Sequence, residues 1–383
     1  MNDASPDPMQ AAHALAPELR ARAEEIEAAR RLPRDLSDRF AAAGFYRLLV
    51  PEAYGGLERP PREAMEIFEV LARADGASAW CAFIGATSGR VLASLPEATA
   101  RAVFREPTTL VCGAVAPRGR ALAAEGGVRV TGRWAWGSGI ANADWVLAGC
   151  APGEATDDAG TPPRPRLVLV PAAQVEILDT WHVSGLAGTG STDFALEDVF
   201  VPASRIVDLG AKPVVERPLY AFPQLALLGL SLGAIALGLA RAAIDELIAL
   251  AGGKTPQGSS RPLAARAHTQ SEVALAEAGV RSARAFYLET IDAAWTEARA
   301  RGVIPVECRR DLRLATTHAA RASAEAIDRM YHVAGGSSVY LRSPLQRHFR
   351  DVHVLTQHMM VAPPTLELTG RLLLGLETDV STL

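Results

Sequence analysis

The feature that most limits how this chain can fold is the apolar stretch from Leu219 to Ala240, which contains no charged residue. It is long enough to cross a bilayer as a helix, and the spacing of Gly229 and Gly233 lets membrane helices pack closely. Pro223 and Gln224 interrupt it, however, and no basic cluster flanks it. A helix that is apolar on all sides also forms the centre of a soluble bundle. We therefore predict a buried bundle helix and keep a membrane span as the alternative.

The whole chain divides into three segments of different pattern, which predicts a mainly α protein with a β domain. Residues 1–108 repeat Ala, Leu, Glu and Arg at three- and four-residue spacing, typical of an N-terminal helical domain. Residues 109–210 hold short Val-, Leu- and Trp-rich runs between glycine turns, typical of an antiparallel β-barrel or sandwich. Residues 211–383 return to longer helical patterns, enough for a four-helix bundle.

Within the β domain, five strands and one long loop are predicted. The proline-rich stretch from 151 to 166 predicts an exposed hairpin loop. The predicted strands are Leu110 to Ala116, Val128 to Trp136, Trp145 to Ala148, Leu167 to Val170 and Phe194 to Val201.

Composition excludes several functional classes. The net charge of −4, without long blocks of like charge, argues against a nucleic-acid partner. The four cysteines are scattered and have no histidine at ligand spacing, so we expect reduced thiols and no metal site. The first ten residues carry acids and prolines without an apolar core, unlike a signal peptide. A cytoplasmic protein is expected.

A first candidate site is the tryptophan-rich stretch Gly132 to Trp145, which holds three of the six tryptophans within twelve residues. One interpretation is a strand with aromatic core positions and a glycine turn. The other is a site for a flat ligand, since indole offers a stacking face and glycine lets the backbone approach. Trp136 would then cover the ligand and Ser138 would hydrogen-bond its ring.

Two further motifs follow. Thr189, Gly190 and Ser191 combine backbone N–H groups and hydroxyls that suit an anion or a polar ring edge, although such clusters are often only turns. Near the C-terminus, His348, His353 and His358 follow one another at five-residue spacing. That spacing does not place two of them on one helix face, which disfavours a metal pair. A single catalytic histidine remains open.

Together these motifs resemble the acyl-CoA dehydrogenase superfamily over nearly the whole chain. The resemblance rests on four segments: Pro51 to Gly56, Trp136 to Ser138, Gly188 to Pro202, and Gly335-Gly336 with Arg350-Asp351. In the common dehydrogenases of this family a glutamate nine residues after that arginine removes the substrate proton. Here the position is Met359, preceded by His358, which is similar to the two-component, group D flavin-dependent monooxygenases of this fold. One departure is that the segment after Ala79-Trp80-Cys81 lacks the second histidine of some of these oxygenases.

This resemblance implies a cofactor and a mechanism. Reduced FAD or FMN, with FAD preferred, would react with O2 at C4a to give a hydroperoxide that hydroxylates a small aromatic or heteroaromatic substrate. Ser138 would contact flavin N5, Trp136 would cover the ring, and His358 would accept a substrate proton or hold the peroxide. The ring edge or phosphate would meet Thr189, Gly190, Ser191 and Arg261.

The resemblance also implies partners. Because the chain has no strand–GxGxxG–helix unit for a nicotinamide, a separate flavin reductase would supply the reduced flavin, and the family assembles as a homotetramer. The Ala- and Leu-rich composition favours a neutral, apolar substrate. Two alternatives remain: a non-catalytic member of the fold, or a dehydrogenase whose base is relocated to Glu246, Glu272 or Glu289.

Overall fold

A computed structural model describes residues 7–151, 165–208 and 212–383. The N-terminal part is helical, as predicted. Pro8 and Pro61 begin their helices, where a missing N–H costs nothing, and Asp75 caps the helix that begins at Gly76 by accepting the Ser78 N–H at 2.7 Å. The helices are α1 (Pro8–Ala21), α2 (Ala23–Ala29), α3 (Arg34–Ala42), α4 (Pro61–Ala74), α5 (Gly76–Arg90) and α6 (Glu97–Val103).

The middle of the chain forms one seven-stranded sheet. The strands are β1 (Val111–Ala124), β2 (Gly127–Gly137), β3 (Trp145–Cys150), β4 (Arg166–Pro171), β5 (Glu176–Leu178), β6 (Thr192–Pro202) and β7 (Ile206–Asp208). Their order across the sheet is β5-β6-β2-β1-β3-β4-β7. All five predicted strands are present, and two short edge strands, β5 and β7, were not predicted. Most of the predicted hairpin loop lies outside the described residues.

The sheet is mixed, whereas a purely antiparallel one was predicted. The first residues of the long strand β1 pair with β3 and its last residues pair with β2. The pairing with β3 is irregular between Ala114 and Gly119. Because β1 and β2 form an antiparallel hairpin, the end of β2 lies beside the start of β1. Because β3 begins at that same end and lies on the other side of β1, β1 and β3 run parallel.

The C-terminal part is helical, with three long helices and two short ones. They are α7 (Gln224–Gly253), α8 (Ala267–Arg301), α9 (Val306–Ala334), α10 (Pro344–Leu355) and α11 (Pro364–Leu373). The apolar stretch from Leu219 to Ala240 lies mostly in α7, where 89% of the most apolar 18-residue window is buried. Burial among α4, α5, α9 and α10 explains why this helix is apolar on all sides. The prediction of a bundle helix is confirmed.

The helices at the two ends of the chain share one hydrophobic core. That core includes Leu19, Phe68 and Phe83 from the N-terminal part together with Leu237 and Ile327 from the C-terminal part. Close approach of α4 and α7 depends on Gly238, where an added Cβ would lie 2.4 Å from the Glu69 carbonyl oxygen. The sheet has a separate core of its own, and α5 lies where that sheet meets the helices.

Candidate active site

The strand β2 presents two tryptophans to opposite environments. Trp134 is fully buried and stacks on Phe194 with ring centroids 5.2 Å apart. Trp136, two residues later, would face the same side of a regular strand. The pairing of β2 with β6 is irregular between Trp134 and Gly137, and Trp136 has a φ of +67°. As a result its indole is 71% exposed. A positive φ is costly for a bulky residue, and an exposed indole held in this way suits stacking on a planar ligand.

Beside Trp136 lies a cluster of buried hydroxyl groups. Ser138, which is only 4% exposed, follows directly after β2. Its Oγ is 2.6 Å from Ser191 Oγ, which is 2.7 Å from Thr189 Oγ1. Gly190 allows this turn because its φ is +56°, in the left-handed region that favours glycine. The structure therefore brings together four of the predicted cofactor contacts: Ser138, Thr189, Gly190 and Ser191.

The Arg-Asp motif of α10 holds the loop that carries these hydroxyls. Asp351 Oδ1 accepts the backbone N–H of Leu186 at 2.6 Å, and the Arg350 guanidinium donates to the carbonyl of Ser184 at 2.5 Å. Burial raises the pKa of Asp351 to about 7. A motif recognised only as a family marker thus positions the residues that precede Thr189.

Trp80 is a site residue to which the sequence pattern assigns no role. From the second turn of α5 its indole N–H donates to Ser138 Oγ at 3.1 Å. Its ring also meets the ring of His358 edge-on, with centroids 6.0 Å apart. One side chain therefore links the hydroxyl cluster to the histidine. The Ala79-Trp80-Cys81 segment, noted only as a family marker, was the available signal.

His358 lies in the turn after α10, and its environment keeps it neutral. Burial, followed by the positive charge of Arg313, lowers the pKa of His358 to about 4. Its Nδ1 accepts the backbone N–H of Met360 at 3.3 Å. In a neutral imidazole the proton then resides on Nε2, which makes Nε2–H a donor. Met359, at the position of the dehydrogenase base, is 66% exposed and offers no proton acceptor there.

Arg313 is a second site residue that the sequence pattern does not reveal. It lies on α9 and is only 5% exposed. Its guanidinium donates to the Met360 carbonyl and sulfur, both at 3.4 Å, and to the Thr382 carbonyl at 2.5 Å. Within the described residues it has no carboxylate partner. Burial lowers its pKa to about 10. Nothing in the local sequence distinguishes this arginine from the many surface arginines.

Other predicted groups lie elsewhere. Arg261 is exposed in the loop between α7 and α8, and a nearby cavity of about 540 Å³ is lined by Arg266 instead. Glu272 pairs with Arg329 at 2.7 Å, and Glu289 is exposed. Glu246 lines a second cavity of about 250 Å³ beside Arg347 and His348. None of the three glutamates joins Trp80 and His358, so the structure does not support a relocated base.

Comparison with known families agrees with this geometry. The model described as acyl-CoA dehydrogenase, N-terminal domain, matches residues 9–96, and the one described as acyl-CoA dehydrogenase, C-terminal domain, matches residues 230–363. The chain belongs to the acyl-CoA dehydrogenase family. It is 38% identical to the indole-3-acetate monooxygenase of Pseudomonas putida, over 93% of this chain and 90% of that protein.

Two further similarities identify the branch of the family. The chain is 31% identical to the FADH(2)-dependent resorcinol hydroxylase, oxygenase component, of a Rhizobium species, over 94% of this chain and 91% of that one. The crystal structure of 3-HSA hydroxylase from Rhodococcus sp. RHA1 superposes with a TM-score of 0.89 at 28% identity, covering 98% and 99% of the two chains.

This member of the family is therefore a flavin-dependent monooxygenase. It uses reduced flavin and O2 to hydroxylate a small-molecule substrate. The prediction of this branch, made from His358 and Met359, is confirmed.

Proposed function

We propose that the substrate is a small aromatic acid of the arylacetate type, with indole-3-acetate as the first compound to test. The observation that carries this proposal is the buried, uncompensated charge of Arg313 next to His358. Two relatives named indole-3-acetate monooxygenase, 38% and 35% identical to this chain, support the same class. This differs from the neutral substrate that the composition favoured.

The electrostatic argument begins with the cost of burying a charge. A buried guanidinium without a counter-ion is expensive, and proteins normally pair it with an acid. Arg313 has five N–H donors. Its Nη1 donates to the carbonyl and sulfur of Met360 and its Nη2 to the carbonyl of Thr382, while its Nε has no hydrogen-bond partner among the described residues. A substrate carboxylate would compensate the charge and complete the hydrogen bonding of the guanidinium.

The position of Arg313 fits a substrate held between it and the flavin. Arg313 and His358 both contact Met360: Arg313 donates to the Met360 carbonyl, and His358 Nδ1 accepts the Met360 N–H. Trp80 connects His358 to Ser138. An aromatic acid with its carboxylate at Arg313 would place its ring near His358, whose Nε2–H then donates to the substrate or to the reacting oxygen.

The same proposal assigns the flavin contacts. Trp136 would cover the ring, Ser138 would hydrogen-bond it, and the Thr189–Ser191 turn would meet its polar edge. When bound, reduced flavin supplies the electrons that activate O2, while the protein excludes water and holds the reacting groups. Because Arg261 is exposed and lies apart from the hydroxyl cluster in the fold, its proposed contact is a flavin phosphate on a neighbouring subunit.

Three further expectations belong to this proposal. The enzyme would assemble as a homotetramer through its helices and work in the cytoplasm. Its structural domains would be residues 1–108, 109–210 and 211–383. Size-exclusion chromatography with light scattering tests the first of these directly.

The substrate test compares indole-3-acetate with its neutral amide, indole-3-acetamide, in the presence of a flavin reductase, NADH, FAD and isotopically labelled O2. We expect label in the product and a higher kcat/KM for the acid. Arg313→Met should reduce the acid-to-amide ratio by about 30-fold, because breaking a buried charge pair costs 2 kcal/mol or more. Arg321→Met, an exposed position on the same helix, is the matched control.

The outcomes separate the parts of the proposal. An unchanged ratio in Arg313→Met refutes the role of the arginine, and equal turnover of acid and amide by the wild type refutes the substrate class. Product without labelled oxygen would contradict the monooxygenase function itself.

A further inference from the structure

The buried hydroxyls of the site form a hydrogen-bond chain whose two ends have fixed roles. At one end, the Trp80 indole N–H can only donate, and it points to Ser138 Oγ at 3.1 Å. At the other end, the Leu186 carbonyl can only accept, and Thr189 Oγ1 lies 2.8 Å from it. Ser191 Oγ lies between, 2.6 Å from Ser138 Oγ and 2.7 Å from Thr189 Oγ1.

The direction of every bond in the chain follows from these ends, because a hydroxyl has one proton to donate. Thr189 gives its proton to the Leu186 carbonyl. Ser191 must therefore donate to Thr189, and Ser138 must donate to Ser191. Ser138 Oγ accepts the Trp80 N–H and keeps one lone pair without a partner among the described residues. The opposite direction would turn the Ser138 proton outward, but it would lose the bond between Thr189 and Leu186.

We infer that this one-way chain fixes Ser138 as a hydrogen-bond acceptor and thereby makes the site select reduced flavin over oxidised flavin. Reduced flavin carries a proton on N5 and donates a hydrogen bond there, whereas N5 of oxidised flavin is itself an acceptor. The inference rests on the proposed contact between Ser138 and the flavin ring. It adds that Ser191 and Thr189 are positioning residues, which act through Ser138 and need not touch N5.

This selection suits an oxygenase that receives its cofactor from a separate reductase. Oxidised flavin that remains after turnover would block the site, and an acceptor at N5 disfavours it. To bind oxidised flavin equally well, Ser138 would have to reverse the chain and lose one buried hydrogen bond. A net hydrogen bond of this kind corresponds to roughly tenfold in affinity. The hydrogen-bond chain therefore favours reduced over oxidised flavin by about that factor.

The test measures the midpoint potential of FAD bound to the full-length protein, relative to free FAD. Preferential binding of the reduced form raises the potential of the bound flavin. Ser191→Ala removes the acceptor for the Ser138 proton, and Thr189→Val removes the acceptor for the Ser191 proton. Each should lower the potential by about 30 mV, which corresponds to a tenfold loss of preference for a two-electron couple. Fluorescence titration with oxidised FAD should show tighter binding in both variants.

Trp80→Phe is the matched control. It removes a hydrogen bond to the same Ser138 oxygen but leaves the direction of the chain unchanged, so the potential should stay at the wild-type value. A lowered potential in Ser191→Ala and Thr189→Val, but not in Trp80→Phe, supports the inference. Unchanged potentials in the first two variants, or an equal fall in all three, overturn it. A wild-type protein that binds no reduced FAD would instead contradict the proposed flavin site.

Discussion

Replacing His358 with glutamine distinguishes a donor from a general base. The imidazole donates from Nε2 because its Nδ1 accepts the Met360 N–H. The glutamine amide retains an N–H near the position of Nε2 but cannot take up a proton at neutral pH. His358→Gln therefore keeps the function that the structure indicates and removes the function of a base, whereas His358→Ala removes both.

The magnitude follows from the pKa of His358, which its surroundings lower to about 4. At pH 7 only about one ring in a thousand is protonated, since the difference is about three pKa units. A base this weak is poorly matched to neutral pH, where general-base catalysis is typically worth 10²- to 10⁴-fold. We expect His358→Gln to keep product formation within about tenfold of the wild type. His358→Ala should lose about 10²-fold or more, as when a catalytic hydrogen-bond donor is deleted.

The assay measures hydroxylated product and hydrogen peroxide for each NADH consumed, at several pH values between about 5 and 8. A lowered pKa means that the neutral form persists until the pH falls towards 4. His358 should therefore contribute no inflection at the usual histidine value of 6.5, and any inflection in this range should be the same in the wild type and in His358→Gln. Two results would refute the reasoning: a glutamine variant as impaired as the alanine variant, or a wild-type inflection near pH 6.5 that the glutamine variant lacks.

Three further predictions concern the flavin contact, acid sensitivity and helix packing. Trp136→Gly removes an exposed indole from a position with positive φ. Urea unfolding should therefore show no loss of stability, while the Kd for reduced FAD should rise up to about tenfold. An unchanged affinity would contradict the stacking role. Burial and the charges of Arg347 and Arg20 lower the pKa of His348, which is 4% exposed, to about 3, so the unfolded state binds a proton below pH 6.5 that the folded state does not. Proton binding to the unfolded state therefore lowers the free energy of unfolding by about 2 kcal/mol between pH 7 and pH 5. Urea unfolding at both pH values should show that His348→Leu loses less stability on acidification than the wild type. Equal losses would disprove the contribution of His348. Gly238→Ala should lower the free energy of unfolding by about 1–3 kcal/mol because its Cβ would meet Glu69 and Ala72, while Gly252→Ala on the same helix, with open space, should be neutral or slightly stabilising; equal effects would refute the packing argument.

Much of the fold was predictable because it depends on local periodicity. The apolar pattern of α7, the strand pattern around Trp134 and the turn glycines are visible in consecutive residues. The parallel pairing of β1 with β3 was not, because it depends on which side of β1 the chain returns to. Local patterns do not contain that information.

The candidate site was predictable where a family motif marks it and not where tertiary contacts create it. Trp136, Ser138 and His358 stand out in the sequence. Trp80 and Arg313 do not, since their roles arise from helices that are distant in sequence and meet only in the folded core. Whether His358 donates or accepts depends on one backbone N–H, that of Met360, which no sequence pattern specifies.

The shared core of the N-terminal and C-terminal helices has a consequence for synthesis in the cell. The face of α4 that packs against α7 is made before the strands, and its partner leaves the ribosome only after them. Until then an apolar surface remains uncovered, which is the condition under which nascent chains aggregate or engage chaperones. We therefore expect truncation before α7 to give an insoluble product.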